Sequence, residues 1–144
     1  MAMNAISFPA SSPIHQACAV PFRTVAQRIE FCLITASSGR WLFPKGCVEP
    51  GDTFAEAALK EALEEAGLHG RVIGEPIGCY EFEKKGQPRT AIVFLMEVSK
   101  SDKVWKEVDV RQRRWATAEE AFRLVSQPQL LQLLYAADTR LRAA

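Results

Sequence analysis

The stretch that decides the reading is GCVEPGDTFAEAALKEALEEAGL, from Gly46 to Leu68. Thr53, followed three positions later by Glu56, is a capping-box signature. In that arrangement the hydroxyl takes the third helical amide and the glutamate reaches back to the cap amide. An alanine-rich run with strong helix preference follows. Gly67 stands where a left-handed residue closes a helix. Together these signals predict a helix from Phe54 to Ala66. Its predicted packing face is Phe54, Ala58, Leu59, Ala62, Leu63 and Ala66.

The remaining face concentrates charge. Glu61, Glu64 and Glu65 are spaced i, i+3 and i+4, so their side chains share a narrow arc. Like charges so placed cost roughly 0.2–0.5 kcal/mol per pair, and the C-terminal end of a helix dipole disfavours anions further. Lys60 is placed to relieve Glu56 and Glu64 but cannot neutralise three carboxylates. A divalent cation would offset the repulsion, and Mg²⁺ uses a few carboxylates while keeping positions for water and phosphate oxygens. Read without its flanks, the same pattern equally suits a solvated acidic face.

The flanks separate these readings. Gly46-x5-Asp52-x7-Lys60-Glu61-Ala62-x-Glu64-Glu65-x-Gly67-Leu68 resembles the Nudix box, G-x5-E-x7-R-E-U-x-E-E-x-G-U with U aliphatic. At about 7% usage of each residue type, chance supplies the two glycines and three glutamates roughly once in 10⁶ start positions. Gly46 and Gly51 permit unusual backbone angles and Pro50 stiffens the turn, so this loop can aim backbone groups at a metal–phosphate site.

The resemblance implies an α+β fold, a Nudix-type α/β/α sandwich around a mixed β-sheet. It also implies an enzyme, a pyrophosphohydrolase assisted by Mg²⁺ or Mn²⁺ that hydrolyses a pyrophosphate linkage in a nucleotide derivative. Carried over by position, the metal ligands are the carbonyl of Gly46 with Glu61, Glu64 and Glu65. The catalytic set is Glu61, Glu64 and Lys60. Glu64 is either a further ligand or the base that activates water. Two positions depart from the pattern: Lys60 replaces an arginine, keeping the charge without the planar fork, and Asp52 replaces a glutamate with a shorter reach. Trp41-Leu42-Phe43-Pro44-Lys45-Gly46, Val48-Glu49-Pro50-Gly51 and Arg113-Arg114-Trp115-Ala116-Thr117 resemble the subgroup acting on dinucleoside polyphosphates and diphosphoinositol polyphosphates. Inositol-directed members tend to be basic before the first strand, and Ser11–Gln16 is poor in Lys and Arg, which shifts the preference to a dinucleoside polyphosphate. The alternatives are a diphosphoinositol polyphosphate or nucleotide-sugar substrate, or a non-catalytic Nudix-like binding domain.

Basic residues at predicted strand ends and loops supply candidate phosphate contacts: Lys45 and Arg89 foremost, then Arg40 and Arg23, with Lys84 and Lys85 in the same class. Glu107 is a candidate to complete the metal shell. Trp105 and Tyr80 are aromatics able to stack on a base or to pack. His15 and His69 read as surface residues, and Cys47 has no evident catalytic partner.

Working outward, short apolar runs at Gln16–Phe22 and Ile29–Thr35 predict an antiparallel pair, and Trp41–Phe43 a short strand stopped by Pro44. Val72–Glu83 and Thr90–Val98 are further strands around a hairpin loop at 84–88, and Val108–Trp115 is another. Thr117 with Glu120 opens a helix to Val125, and Ser126 with Pro128 starts a last helix to Ala137. Residues 1–14 read as a flexible arm, with a short strand near Ile6–Phe8, and residues 15–144 as one Nudix hydrolase domain.

Composition bounds the remaining functions. The chain has 144 residues, 48% hydrophobic and 24% charged, with a formal net charge of +1. Bulk charge therefore gives no reason to expect nucleic-acid or anionic-membrane partners. The longest apolar run, Ala91–Met96, falls far below the ~20 residues that cross a bilayer. Four cysteines without a C-x-x-C pair fit free thiols in a reducing cytoplasm. The expected partner is a small phosphorylated substrate, and a homodimer is left open.

Overall fold

A computed structural model of the chain describes residues 14–143. The predicted arm and the strand near Ile6–Phe8 lie outside the described residues, except Ile14, which already begins β1 (Ile14–Val25). Ala26 and Gln27, at φ 51° and 67°, turn the chain into β2 (Arg28–Thr35). Positive φ at both turn positions matches the twist of the flanking antiparallel strands, which pair Phe22 with Phe31 and Val25 with Arg28.

After β3 (Trp41–Leu42), Pro44 ends the pairing with β2, as expected. The chain then adds a strand that was not predicted, β4 (Lys45–Cys47), which pairs antiparallel with β1 at Gln16–Cys47 and Cys18–Lys45. Three residues are too few to show an alternation, so this strand is defined by its partner. Helix α1 spans Phe54–Ala66, with the Thr53–Glu56 capping box formed and Gly67 left-handed at φ 67°.

The segment predicted as one strand over Val72–Glu83 divides into β5 (Leu68–Val72) and β6 (Gly78–Lys84), on either side of Gly74 at φ 70° and Pro76. Both pair with β7 (Gln87–Ser101). The 84–88 loop tightens to Lys85-Gly86, at φ 54° and 76°. The strand expected from Val108 begins only at Arg113, as β8 (Arg113–Thr117). Residues before it close their hydrogen bonds locally instead, Val108 N–H to Trp105 O and Val110 N–H to Glu107 O, each 3.1 Å. Helices α2 (Ala118–Leu124) and α3 (Pro128–Ala143) follow. The last helix outruns its predicted end. Arg140, in the extra turns, donates to the Glu75 carbonyl at 2.6 Å.

The sheet runs β3-β2-β1-β7-β5, with β4 on β1, β6 on β7 and β8 on β2. The β1–β7 pair is parallel and the others antiparallel. That makes a mixed sheet between two helical layers, as the resemblance implied. Side chains on a strand alternate faces. In β7, Ile92, Phe94 and Met96 join Ala17 and Ala19 against the alanines of α1. Val93 and Leu95 join Val20, Phe31 and Leu33 against Leu130, Leu133 and Leu134 of α3. Burial on both faces is why Ala91–Met96 is continuously apolar.

Helix α1 is rotated from its predicted packing face. Ala57 and Glu65 are 2% and 7% exposed, whereas Leu63 is 41% exposed. Small alanines let the helix lie close on the sheet, and that rotation carries the Glu65 carboxylate inward.

Candidate active site

Strand β4 and α1 build one wall of a cavity of about 500 Å³. A Cβ at Gly46 would collide with the Glu61 carboxylate and force that side chain to move, so the glycine lets the two lie side by side. Beside it, Glu65 Oε1 accepts the Lys45 backbone N–H at 3.2 Å. Burial pushes the Glu65 acid up to about 8, and its carboxyl shares a hydrogen bond with Glu61, whose acid burial also raises. Two buried carboxyls in contact disfavour double ionisation, so the pair holds a shared proton when no cation is bound.

Glu107 opens to the same cavity, and Arg111 ties the acids together. Its Nε donates to Glu107 Oε1 at 2.7 Å, one terminal nitrogen lies 3.6 Å from Glu65 Oε2, and the other donates to the Thr35 carbonyl at 2.9 Å. Lys45, Lys84 and Arg89 line the same cavity. The Lys45 ammonium sits 4.6 Å above the Phe82 ring, and burial lowers its pKa.

The loop carrying Glu107 and Arg111 is fastened to the C-terminal end of α1. Trp105 Nε1 donates to Glu65 O at 2.9 Å, Glu107 N–H to Glu64 O at 3.1 Å, and Arg113 to Ala66 O at 2.7 Å. The Arg113 guanidinium stacks on Trp105 at 4.2 Å. These donors satisfy last-turn carbonyls that a helix leaves unpaired, and Arg113 places a cation where the dipole favours one.

Other predicted residues go elsewhere. Glu64 does not line the cavity, and its carboxylate lies 3.8 Å from Lys106. Lys60 does not relieve Glu56 or Glu64: it binds Asp52 at 2.7 Å and Glu49 at 3.0 Å, which raise its pKa. The box loop curls back over that side of α1, and the short Asp52 side chain fits the gap. Arg40 donates to Ser38 Oγ at 3.3 Å and borders an adjoining cavity with Lys45, Tyr80 and Phe82. Arg23 pairs with Glu30 at 2.8 Å, stacks 3.9 Å from Trp115, and lines a separate hollow with Arg71 and Glu97. His69 bonds Asp102 at 2.7 Å. Sequence reasoning missed Gln16, Thr35 and Arg111 in the cleft. A polar Gln16 opening an apolar strand was the one available signal.

Among the described residues no three His, Cys, Asp or Glu side chains are gathered into a ready-made metal cage. The donor chemistry nonetheless fits a hard divalent cation. Glu61, Glu65, Glu107 and the Gly46 backbone face one cavity, and the buried acids are held by a proton and by Arg111, both of which a cation can replace.

The NUDIX domain family matches residues 14–135. The chain is 30% identical over 120 residues to the asymmetrical bis(5'-nucleosyl)-tetraphosphatase of Caenorhabditis elegans, covering 80% of this chain and 87% of that one. It is 38% identical over 93 residues to the mitochondrial Nudix hydrolase 13 of Arabidopsis thaliana, covering 58% of this chain and 46% of the relative. The chain thus spans about half the length of the first plant relatives it matches. A crystal structure of a C. elegans Ap4A hydrolase binary complex superposes with a TM-score of 0.80 at 26% identity, over 91% of this chain and 99% of that one. With its box helix capped at both ends, Glu61 and Glu65 turned into one cleft and the family match running from β1 into α3, the chain belongs to the Nudix family.

Proposed function

We propose that the chain is a metal-dependent pyrophosphohydrolase acting on a nucleotide derivative, with a dinucleoside polyphosphate as the preferred substrate. One observation carries this reading: acids Glu61, Glu65 and Glu107 share a single cleft with cations Lys45, Lys84 and Arg89. A divalent cation satisfies the first set and a phosphate chain satisfies both. Similarity to the nematode tetraphosphatase and Ap4A hydrolase supports the longer phosphate chain.

Glu61, Glu65 and the Gly46 carbonyl would hold Mg²⁺ or Mn²⁺, with Glu107 or Glu64 as further donors. The ion supplies Lewis acidity, charge neutralisation and a lowered pKa for bound water. The chain's own residues do the rest. Lys45 and Arg89 hold the phosphates away from the acidic floor, and Phe82 with Tyr80, in the adjoining hollow, offers a face for a base. Glu64 serves as base or ligand by leaving Lys106, and Lys60 fixes the loop that presents Gly46. Water attacks phosphorus and a P–O bond of the anhydride breaks.

We also place the protein in a reducing compartment, the cytoplasm, on its four free cysteines. No helix among the described residues is long and apolar enough to cross a membrane.

The test is a screen with Mg²⁺ or Mn²⁺ across dinucleoside polyphosphates, nucleotide sugars, nucleoside triphosphates and inositol pyrophosphates, repeated in oxygen-18 water. The expected result is fastest cleavage of a dinucleoside polyphosphate, with label on a product phosphate. Faster cleavage of a nucleotide sugar would reject the substrate assignment, and no turnover of any class would reject the enzyme reading.

A further inference from the structure

Cys47 stands on the cleft wall, and of the four cysteines it alone is exposed. Two side chains aim donors at its sulfur, Gln16 Nε2 at 3.5 Å and an Arg89 terminal nitrogen at 3.6 Å. Gln16 lines the same cleft and is only 4% exposed, yet its Oε1 is buried with no hydrogen-bond partner. Arg89 Nε is buried and unpaired too. Native proteins rarely leave such atoms unsatisfied. One is an acceptor wanting a donor and the other a donor wanting an acceptor. Both atoms belong to the two side chains whose other nitrogens already reach the Cys47 sulfur.

We propose that Cys47 is a hydroperoxide-sensitive modification site, converted to a sulfenic acid that Gln16 and Arg89 hold. The sulfur attacks one peroxide oxygen, so an S–O bond forms as the O–O bond breaks. Sulfur gives up two electrons, the peroxide is reduced, and the thiol proton ends on the departing oxygen. The balance is one thiol and one hydrogen peroxide to one sulfenic acid and one water. The new hydroxyl donates to Gln16 Oε1, and its oxygen accepts from the Arg89 guanidinium. Reactive cysteines occupy partly exposed, electropositive surroundings, and Cys47 has Arg89 on it. Its competitors are protected: Cys18 and Cys32 are fully buried, with thiols that burial pushes up to about 12, and burial raises Cys79 as well. On the reading of the cleft as a polyphosphate site, the oxidised side chain also occupies Arg89 and weakens phosphate binding reversibly.

The full chain is treated with a small excess of hydrogen peroxide, trapped with a cyclic dione probe and mapped by peptide mass spectrometry. The expected adduct is on Cys47, is prevented by dithiothreitol added before the probe, and is absent in Cys47→Ser. Gln16→Leu removes the acceptor and should lower the adduct yield several-fold after a fixed delay. Gln16→Glu, which keeps an acceptor of the same length, should retain it and controls for folding. Equal or greater labelling of Cys79, or an unchanged yield in Gln16→Leu, overturns the proposal. In a second arm, calorimetry with inorganic tripolyphosphate should show several-fold weaker binding after oxidation. Labelling of Cys47 in a protein that never binds tripolyphosphate would uphold the modification site and fail the cleft reading instead.

Discussion

Trp105 donates its indole N–H to the backbone carbonyl of Glu65 at 2.9 Å, so the loop bearing Glu107 and Arg111 is anchored to the residue whose carboxyl it faces. Removing that donor leaves a last-turn carbonyl short of a partner. Trp105→Phe should therefore cost about 1 kcal/mol in urea unfolding and lower kcat with little change in KM, because Glu107 and Arg111 lose their register on α1. An unfolding midpoint and kcat equal to wild type would show that the other loop contacts suffice.

Glu65→Gln keeps the size of the side chain and the Lys45 amide contact but removes a charge from the proposed cation site. Substituting residues that merely orient metal ligands costs about 10–100-fold, so loss of a ligand should lower Mn²⁺ affinity and hydrolysis by at least about 100-fold. Titration calorimetry and turnover are the measurements. Full activity in this variant would remove Glu65 from the site.

The Glu65 acid, raised to about 8 by burial, sets a pH signature for the metal-free protein. Between an ordinary carboxylate pKa of about 4.3 and the raised value, the folded state binds the proton that the unfolded chain releases, so stability falls as pH rises. Thermal midpoints in chelator should drop from pH 5 to pH 8. Saturating Mn²⁺ should flatten or reverse that slope, and Glu65→Gln should abolish it. A midpoint in chelator that rises across this window would contradict the buried, proton-sharing pair.

Lys60 bridges α1 to Asp52 and Glu49 rather than to the acidic face. Lys60→Ala should accelerate hydrogen exchange of amides in residues 49–52 and lower kcat more than it changes KM. Lys60→Arg should preserve both. Identical exchange and kinetics in all three proteins would make Lys60 a solvated helix residue.

Lys45 lies between the acidic floor and the Phe82 hollow, where a longer phosphate chain would run. Lys45→Ala should raise KM for a dinucleoside tetraphosphate several-fold more than for a nucleotide sugar. Equal effects on the two substrates would deny Lys45 a part in chain-length selection.

Residues 54–66 were legible as a helix because every signal is local: Thr53 and Glu56 cap each other, alanines propagate, and Gly67 terminates. Ala91–Met96 was legible as a strand for the same reason, although its burial on both faces is seen only with α1 and α3 in place. Strand β4, by contrast, consists of three residues that pair only because β1 lies beside them. The rotation of α1 that buries Glu65 and exposes Leu63 was equally invisible, since alanines on several sides left the packing face under-determined.

By itself the sequence determined the acidic helix, its caps, the box and the family, because these depend on spacing along the chain. Only the tertiary structure decided which charges meet. Glu64 turns to Lys106, Arg111 arrives at Glu65 from a loop that sequence reads as strand, and Gln16 reaches Cys47 across two paired strands. Those meetings are set by helix rotation, loop closure and strand register, and contacts between residues tens of positions apart leave no periodicity to read.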